Sequence, residues 1–286
     1  MNVPIFTYHA LGVEDSVIMT APEKFAAHLD AVARAGYVTV TIGDSMKKVQ
    51  VGQVGQGLAV PLGTSDTVVG AELTPAAAVI PTGLGDEVKI ALTFDDGYAS
   101  VYEIAYPLLR ARGMTATVYV ISDFVGKDNR WRGQRADIPA LPLMTWDQIA
   151  ELAENGWEIG AHTRTHPPLT QIDATRLEDQ IAGSQWAIQA HIGRVARAFS
   201  YPYGVVNQKV KAAMLRYYDT AVTTRLGIAR DTSNRLLLPR IDAYYVTASM
   251  ITRLDWVNTR IGLRLVDAAH LVKRFVRHDW DERIEW

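Results

Sequence analysis

Apolar and polar positions along this chain follow two interleaved periods. Short apolar runs at 3–8, 37–42, 88–94, 115–121, 157–161, 197–201 and 219–224 read as strands. Helical spacing fills 99–112, 145–155, 173–192 and 207–217, with Thr145 as N-cap of the second of these. An earlier helix starts at Thr20-Ala21-Pro22-Glu23, with Thr20 as its N-cap. Phe25, Leu29 and Val32 then recur at helical spacing, and Gly36 closes the helix. Alternation of this kind predicts an α/β fold, with parallel strands joined by helical crossovers.

Two stretches break the pattern. Residues 49–87 are rich in Gly, Ala and Val and hold no aromatic residue, with Asp66 and Glu72 the only charges between Val49 and Gly85. A structureless loop of that length is unusual inside a domain. It reads as a surface insertion, with a lid or partner-binding flap as the alternative. The second stretch, 249–278, is one long helical pattern. Ile251, Leu254, Val257, Ile261, Leu265, Leu271 and Phe275 form its apolar stripe, with arginines and lysines among them. Such a helix packs on its own domain or rests on an anionic membrane surface. One domain, 1–286, is expected.

Composition narrows the chemistry. Hydrophobic residues make up 48% of the 286, enough for a sizeable core. Net charge is −2 without a long basic run, which argues against nucleic-acid binding. There is no cysteine, so a metal would have to sit on His, Asp or Glu. No run approaches the ~20 apolar residues of a membrane span, and Met1-Asn2-Val3-Pro4 does not read as a signal peptide. The expectation is a cytoplasmic protein, or a periplasmic or extracellular one whose leader has been removed.

Three motifs carry chemistry. Thr93-Phe94-Asp95-Asp96-Gly97 and His162-Thr163-Arg164-Thr165-His166 each follow an apolar run. Their carboxylates and imidazoles therefore fall at strand C-terminal ends, the rim where parallel α/β folds build sites. Two imidazoles and one carboxylate fill three positions on a divalent metal and leave room for water. The second carboxylate is then free to take a proton. The third motif, Phe199-Ser200-Tyr201-Pro202-Tyr203-Gly204, also ends a strand. Its Pro and Gly enforce a turn able to aim a backbone N–H at a substrate oxygen.

In this order the three motifs resemble the polysaccharide deacetylase family, also known as carbohydrate esterase family four, the nodulation-type deacetylase homology domain. Pro107-Leu108-Leu109, Thr115-Ala116-Thr117-Val118-Tyr119-Val120 and Trp157-Glu158-Ile159-Gly160-Ala161 match its style, and the likeness covers about 86–225. The start Pro4-Ile5-Phe6-Thr7-Tyr8-His9 resembles the biofilm exopolysaccharide deacetylases. The resemblance implies a distorted, incomplete (β/α) barrel that removes acetyl groups from N-acetylglucosamine residues of a glycan. It implies Asp96, His162 and His166 as ligands of a divalent metal, usually Zn2+, with Co2+ or Ni2+ as alternatives. It implies Asp95 as general base and the Tyr203 backbone N–H as oxyanion donor, with Tyr201 and Pro202 on the substrate side.

The sequence also departs from the family. Ser200 stands where many members carry an arginine, and Arg197 is out of register. Arg240, in Leu238-Pro239-Arg240-Ile241, is the candidate partner of Asp95; the alternative is an ordinary surface arginine. The late His block that supplies the general acid is not recognisable. His9, at the end of the first strand, is the candidate acid, or else a structural histidine. His28, His191, His270 and His278 read as non-catalytic. Trp131, in a loop-like stretch, is the candidate sugar-stacking ring, while Trp146 and Trp157 read as core. Further readings keep the site and change its use: an O-acetyl esterase, a cyclic-amide hydrolase, or a non-catalytic glycan-binding relative.

Overall fold

The sequence encodes a ring of parallel strands. In the computed structural model, residues 2–46 and 88–253 are described. The strands of the main sheet are β1 (Ile5–Tyr8), β2 (Val38–Val40), β3 (Lys89–Phe94), β4 (Thr117–Val120), β5 (Glu158–Ala161), β6 (Ala198–Ser200), β7 (Thr220–Leu226) and β8 (Leu238–Asp242). Hydrogen bonding runs β1-β8-β7-β6-β5-β4-β3 and closes through a β3–β1 pairing, so seven strands form a barrel. All its pairings are parallel. The eighth strand, β2, pairs with the first half of β3, Lys89–Ala91, while β4 pairs with Thr93 and Phe94. That intrusion is the distortion of the barrel.

Strand alternation sorts side chains between two apolar clusters. Ile5, Ala91, Tyr119, Ala198, Val222 and Leu238 face one another in one cluster. Phe6, Tyr8, Ile90, Leu92, Phe94, Phe199 and Ile241 face the helices in the other. The two-residue period then fixes the next positions. Asp95 follows Ala91 and Thr93, Ser200 follows Ala198, Arg240 follows Leu238, and His9 follows Ile5 and Thr7. Four polar groups are thereby carried to one end of the ring.

The helices α1 (Pro22–Arg34), α2 (Tyr106–Arg110), α3 (Trp146–Glu154), α4 (Ala174–Ile192), α5 (Gln208–Met214) and α6 (Ala248–Thr252) follow the sequence pattern closely. Thr145 caps α3 in a full capping box with Gln148. Asp173 and Asn207 cap α4 and α5. Gly36 follows α1 with φ +69°. Thr20 is not the α1 cap: it lies in a two-residue strand with Met19, and Ala21 precedes Pro22, which takes the first helical turn because it needs no amide partner there. The predicted helix at 99–112 opens instead as a π turn, Val101–Ala105, ahead of Pro107. The 49–87 insertion and the part of the 249–278 helix beyond Arg253 lie outside the described residues, and the membrane-surface reading of that helix lies there too. Among the described residues no helix is long and apolar enough to cross a membrane.

Candidate metal centre

The first two motifs converge after β3 and β5. His162 Nε2 lies 3.3 Å from Asp96 Oδ1, His166 Nε2 lies 3.7 Å from the same oxygen, and the two Nε2 atoms stand 3.2 Å apart. All three residues are buried. Metal–nitrogen bonds of about 2.0–2.1 Å in a tetrahedral arrangement put neighbouring donors about 3.3 Å apart. The spacing fits a divalent cation, and these residues form the group able to hold one among those described.

The donor chemistry fits as well. His162 Nδ1 is 2.6 Å from the Ser200 carbonyl oxygen. A carbonyl only accepts, so the proton sits on Nδ1 and Nε2 offers its lone pair. Burial works against a charged His162, but Asp96 and Asp95 outweigh it and raise its proton affinity. For His166, burial and the neighbouring His162 prevail and push the ring down to about 3. Burial would raise the Asp96 carboxyl, yet His162 and His166 hold it below its ordinary value.

The backbone at the centre is strained. Among the described residues, the non-glycine residues with positive φ are Asp96 (71°), Thr163 (68°), His166 (58°) and Tyr203 (60°). All four belong to the three motifs. Thr163 is the costliest, because a β-branched side chain is rarely left-handed. Its Oγ1 accepts the His166 N–H at 2.8 Å, which ties the two histidines together. Strain concentrated this way is a mark of functional sites.

Asp95 sits beside the ligand group with a different set of partners. Arg240 donates from Nη1 to Asp95 Oδ1 at 2.8 Å and from Nη2 to Oδ2 at 2.7 Å. Ser200 Oγ donates to Oδ2 at 3.3 Å and accepts from Arg240 Nη2 at 3.2 Å. Burial would raise the Asp95 carboxyl, but the guanidinium outweighs it and holds the group well below the usual carboxylate range. Arg240 is 2% exposed, so it is no surface arginine, and it lies within β8 rather than at its end. Ser200, at the family's usual arginine position, leaves room for it. Arg197 is exposed and precedes β6.

Residues 83–220 match the family model described as Polysaccharide deacetylase. Over this segment the chain is similar to the polysaccharide deacetylase family. The chain is 25% identical over 242 residues to YxkH of Bacillus subtilis, covering 84% of this chain and 71% of that one. It is 24% identical over 163 residues to the poly-β-1,6-N-acetyl-D-glucosamine N-deacetylase of Staphylococcus epidermidis, 54% of each chain. The chain thus spans about half the length of the staphylococcal deacetylases it matches. Among solved structures, the Streptococcus pyogenes deacetylase PplD superposes with a TM-score of 0.66 at 22% identity, over 89% of this chain and 97% of PplD. IcaB from Ammonifex degensii gives 0.63 at 20%, over 90% and 97%. These likenesses establish the deacetylase barrel fold.

The other sequence-predicted residues divide. His9 is half-buried at the rim, directly after β1. Tyr203 occupies the turn after β6, with its hydroxyl 3.2 Å from His166 Nδ1. Tyr201 is corrected: it is 1% exposed, faces the helices beside Phe199, and donates its hydroxyl to the Leu236 carbonyl. Alternation decides this, since Ser200 takes the inward position and Tyr201 the outward one. Pro202 is buried in the same turn. Trp131 is corrected too. It is 4% exposed, packed edge-on against Phe124 and centred 4.7 Å from the His166 ring, so it braces a ligand instead of presenting a face to sugar. His28 bonds Tyr8 and the Val246 carbonyl, and His191 stacks on Trp146, both away from the centre. Sequence reasoning missed Tyr98 and Asn129; the one available signal was that Tyr98 directly follows the Asp-Asp-Gly turn.

Proposed function

We propose that this protein is a metal-dependent N-deacetylase that removes acetyl groups from amino-sugar residues of a poly- or oligosaccharide. The observation that carries the reading is a buried Asp96–His162–His166 group beside a second carboxylate, Asp95, pinned by Arg240. Zinc is the expected ion, because imidazole and carboxylate donors at this spacing suit it and no thiolate is available. When bound, the cation supplies Lewis acidity toward the acetyl carbonyl and acidifies the attacking water toward a pKa of about 7.

The chain's own residues supply the rest. Asp95 is the general base. Arg240 keeps it ionised and fixes its plane, while lone pairs remain on both oxygens for the water proton. Tyr203 offers its backbone N–H to the oxyanion from a turn held by Gly204. His9 protonates the departing amine, its place after β1 putting it on the same rim. The relatives named as poly-β-1,6-N-acetylglucosamine deacetylases favour a β-linked N-acetylglucosamine polymer as substrate. The deciding experiment supplies N-acetylated and O-acetylated oligosaccharides to zinc-loaded protein and measures acetate and free amine together. Equal release of both supports the proposal; acetate without amine points to an esterase, and neither product overturns the reading.

A further inference from the structure

Each ligand side chain of the centre is held by one oriented partner. His162 has the Ser200 carbonyl. The other two partners are tyrosine hydroxyls. Tyr98 is 1% exposed and stands two residues after Asp96, its hydroxyl set among the Asp96 carboxylate and the side chains of Asn129 and Gln134. Asn129, equally buried, fixes the direction of that contact. Its Oδ1 accepts from the Leu141 N–H at 2.9 Å, and its Nδ2 donates to the Pro139 carbonyl at 3.0 Å and to the Tyr98 oxygen at 3.3 Å. With the amide locked and the phenol oxygen already accepting, the Tyr98 hydrogen is left for Asp96.

Tyr203 plays the matching part on His166. Its hydroxyl lies 3.2 Å from Nδ1, and the two rings are centred 4.7 Å apart. Trp131 also packs on the His166 ring, its own ring centred 4.7 Å away. With Nε2 left free for the cation the ring proton sits on Nδ1, so Nδ1–H donates and the Tyr203 oxygen accepts. Asn129 and Trp131 come from one loop, Gly126 to Pro142, which bonds the Tyr98 hydroxyl through the first and packs on the His166 ring through the second.

We infer that Tyr98 and Tyr203 are positioning residues of the metal centre, their hydroxyls orienting Asp96 and His166 for the cation. This rests on the metal-dependent reading above. Outer-shell hydrogen bonds of this kind contribute about 10- to 100-fold to metal affinity. For Tyr203 the role belongs to the side chain and is separate from its backbone N–H, which Tyr203→Phe leaves in place.

The test strips wild type, Tyr98→Phe and Tyr203→Phe with a chelator and titrates each with Zn2+ alone by calorimetry. Co2+ absorption spectra and melting curves of the metal-free proteins accompany the titrations. The expected result is Zn2+ affinity about 10- to 100-fold weaker in each variant, with shifted Co2+ bands and melting temperatures near wild type. Variant affinities within twofold of wild type would overturn the inference while leaving the metal site standing. Failure of the wild type itself to bind Zn2+ would overturn the metal-dependent reading and this inference with it. Should Tyr98→Phe not fold, Tyr203→Phe, at a half-buried position, decides the matter.

Discussion

Arg240 grips both oxygens of Asp95 from a strand that is not adjacent to the aspartate's own: β1 lies between β8 and β3 in the ring. A pair this deep is expensive to break from one side. Removing one partner strands the other charge, at a cost of about 3–5 kcal/mol. Arg240→Met is therefore expected to lower unfolding free energy by about that much in urea titrations, and Asp95→Asn nearly as much. The double variant should lose less than the sum of the singles, and strict additivity would contradict the pairing.

Asp95→Asn also separates base from ligand. Turnover should fall by about 10²- to 10⁴-fold, the usual contribution of a positioned proton acceptor. Zinc content, measured by elemental analysis after gel filtration, should stay near wild type because Asp96, His162 and His166 are untouched. Unchanged turnover would reject the base assignment, and lost zinc would move Asp95 into the ligand set.

Gly204 bears on the oxyanion donor. At φ +74°, an added methyl would overlap the Thr224 hydroxyl and come within 2.7 Å of the Thr224 backbone nitrogen. Gly204→Ala must therefore displace the Tyr203 turn. The expectation is a fall in kcat larger than any rise in KM, about 10²-fold for one misplaced oxyanion donor. Steady-state kinetics at saturating zinc read this directly, and wild-type kcat would argue that the Tyr203 N–H takes no part.

His28 predicts a pH dependence of stability. Its Nδ1 accepts from the Tyr8 hydroxyl and its Nε2 donates to the Val246 carbonyl, both at 3.0 Å. Burial, aided by Lys24, lowers the ring from 6.5 to about 4. The folded state thus favours the neutral ring, and its contribution is complete above about pH 6.5. Between there and about pH 4 the unfolded chain takes up the proton first, and stability drains by about 2–3 kcal/mol. Urea midpoints measured across that range should fall more steeply for wild type than for His28→Gln. Parallel slopes would mean that His28 does not titrate in this window.

Metal removal should register as a change in melting temperature. Zinc at about 100 times its Kd adds about 2.7 kcal/mol to a protein that binds it only when folded. In a domain of this size that is a rise of about 5–10 °C. His166→Ala, lacking one donor, should lose most of the rise; an equal rise in the variant would place the ion elsewhere.

Much of this architecture was legible in the chain. The strand at 88–94 and the motif at its end announced both aspartates, since a buried run stopping at polar residues says where the rim lies. The histidine pair was legible for the same reason. What escaped were facts of the closed ring. Nothing local to Leu238-Pro239-Arg240 reveals that the guanidinium points inward to Asp95, because register across β8, β1 and β3 is settled by pairing over long sequence distances. Tyr201 and Trp131 misled because aromatic residues beside a motif suit a sugar platform and a buried wall equally well; only which face of β6 the ring occupies, or whether Phe124 covers it, tells them apart. Ser200 looked like a missing part, yet its small size is what admits an arginine from elsewhere.

The ring also imposes an order of events on the growing polypeptide. Strand β1 is made well before β8, one of its two neighbours, which ends at Asp242. Until that residue clears the ribosome, β1 has one bare flank offering unpaired amides and carbonyls to any passing chain. Synthesis faster than the final stave can seat would favour tangled aggregates over soluble protein, so slower translation or cooler growth should improve recovery.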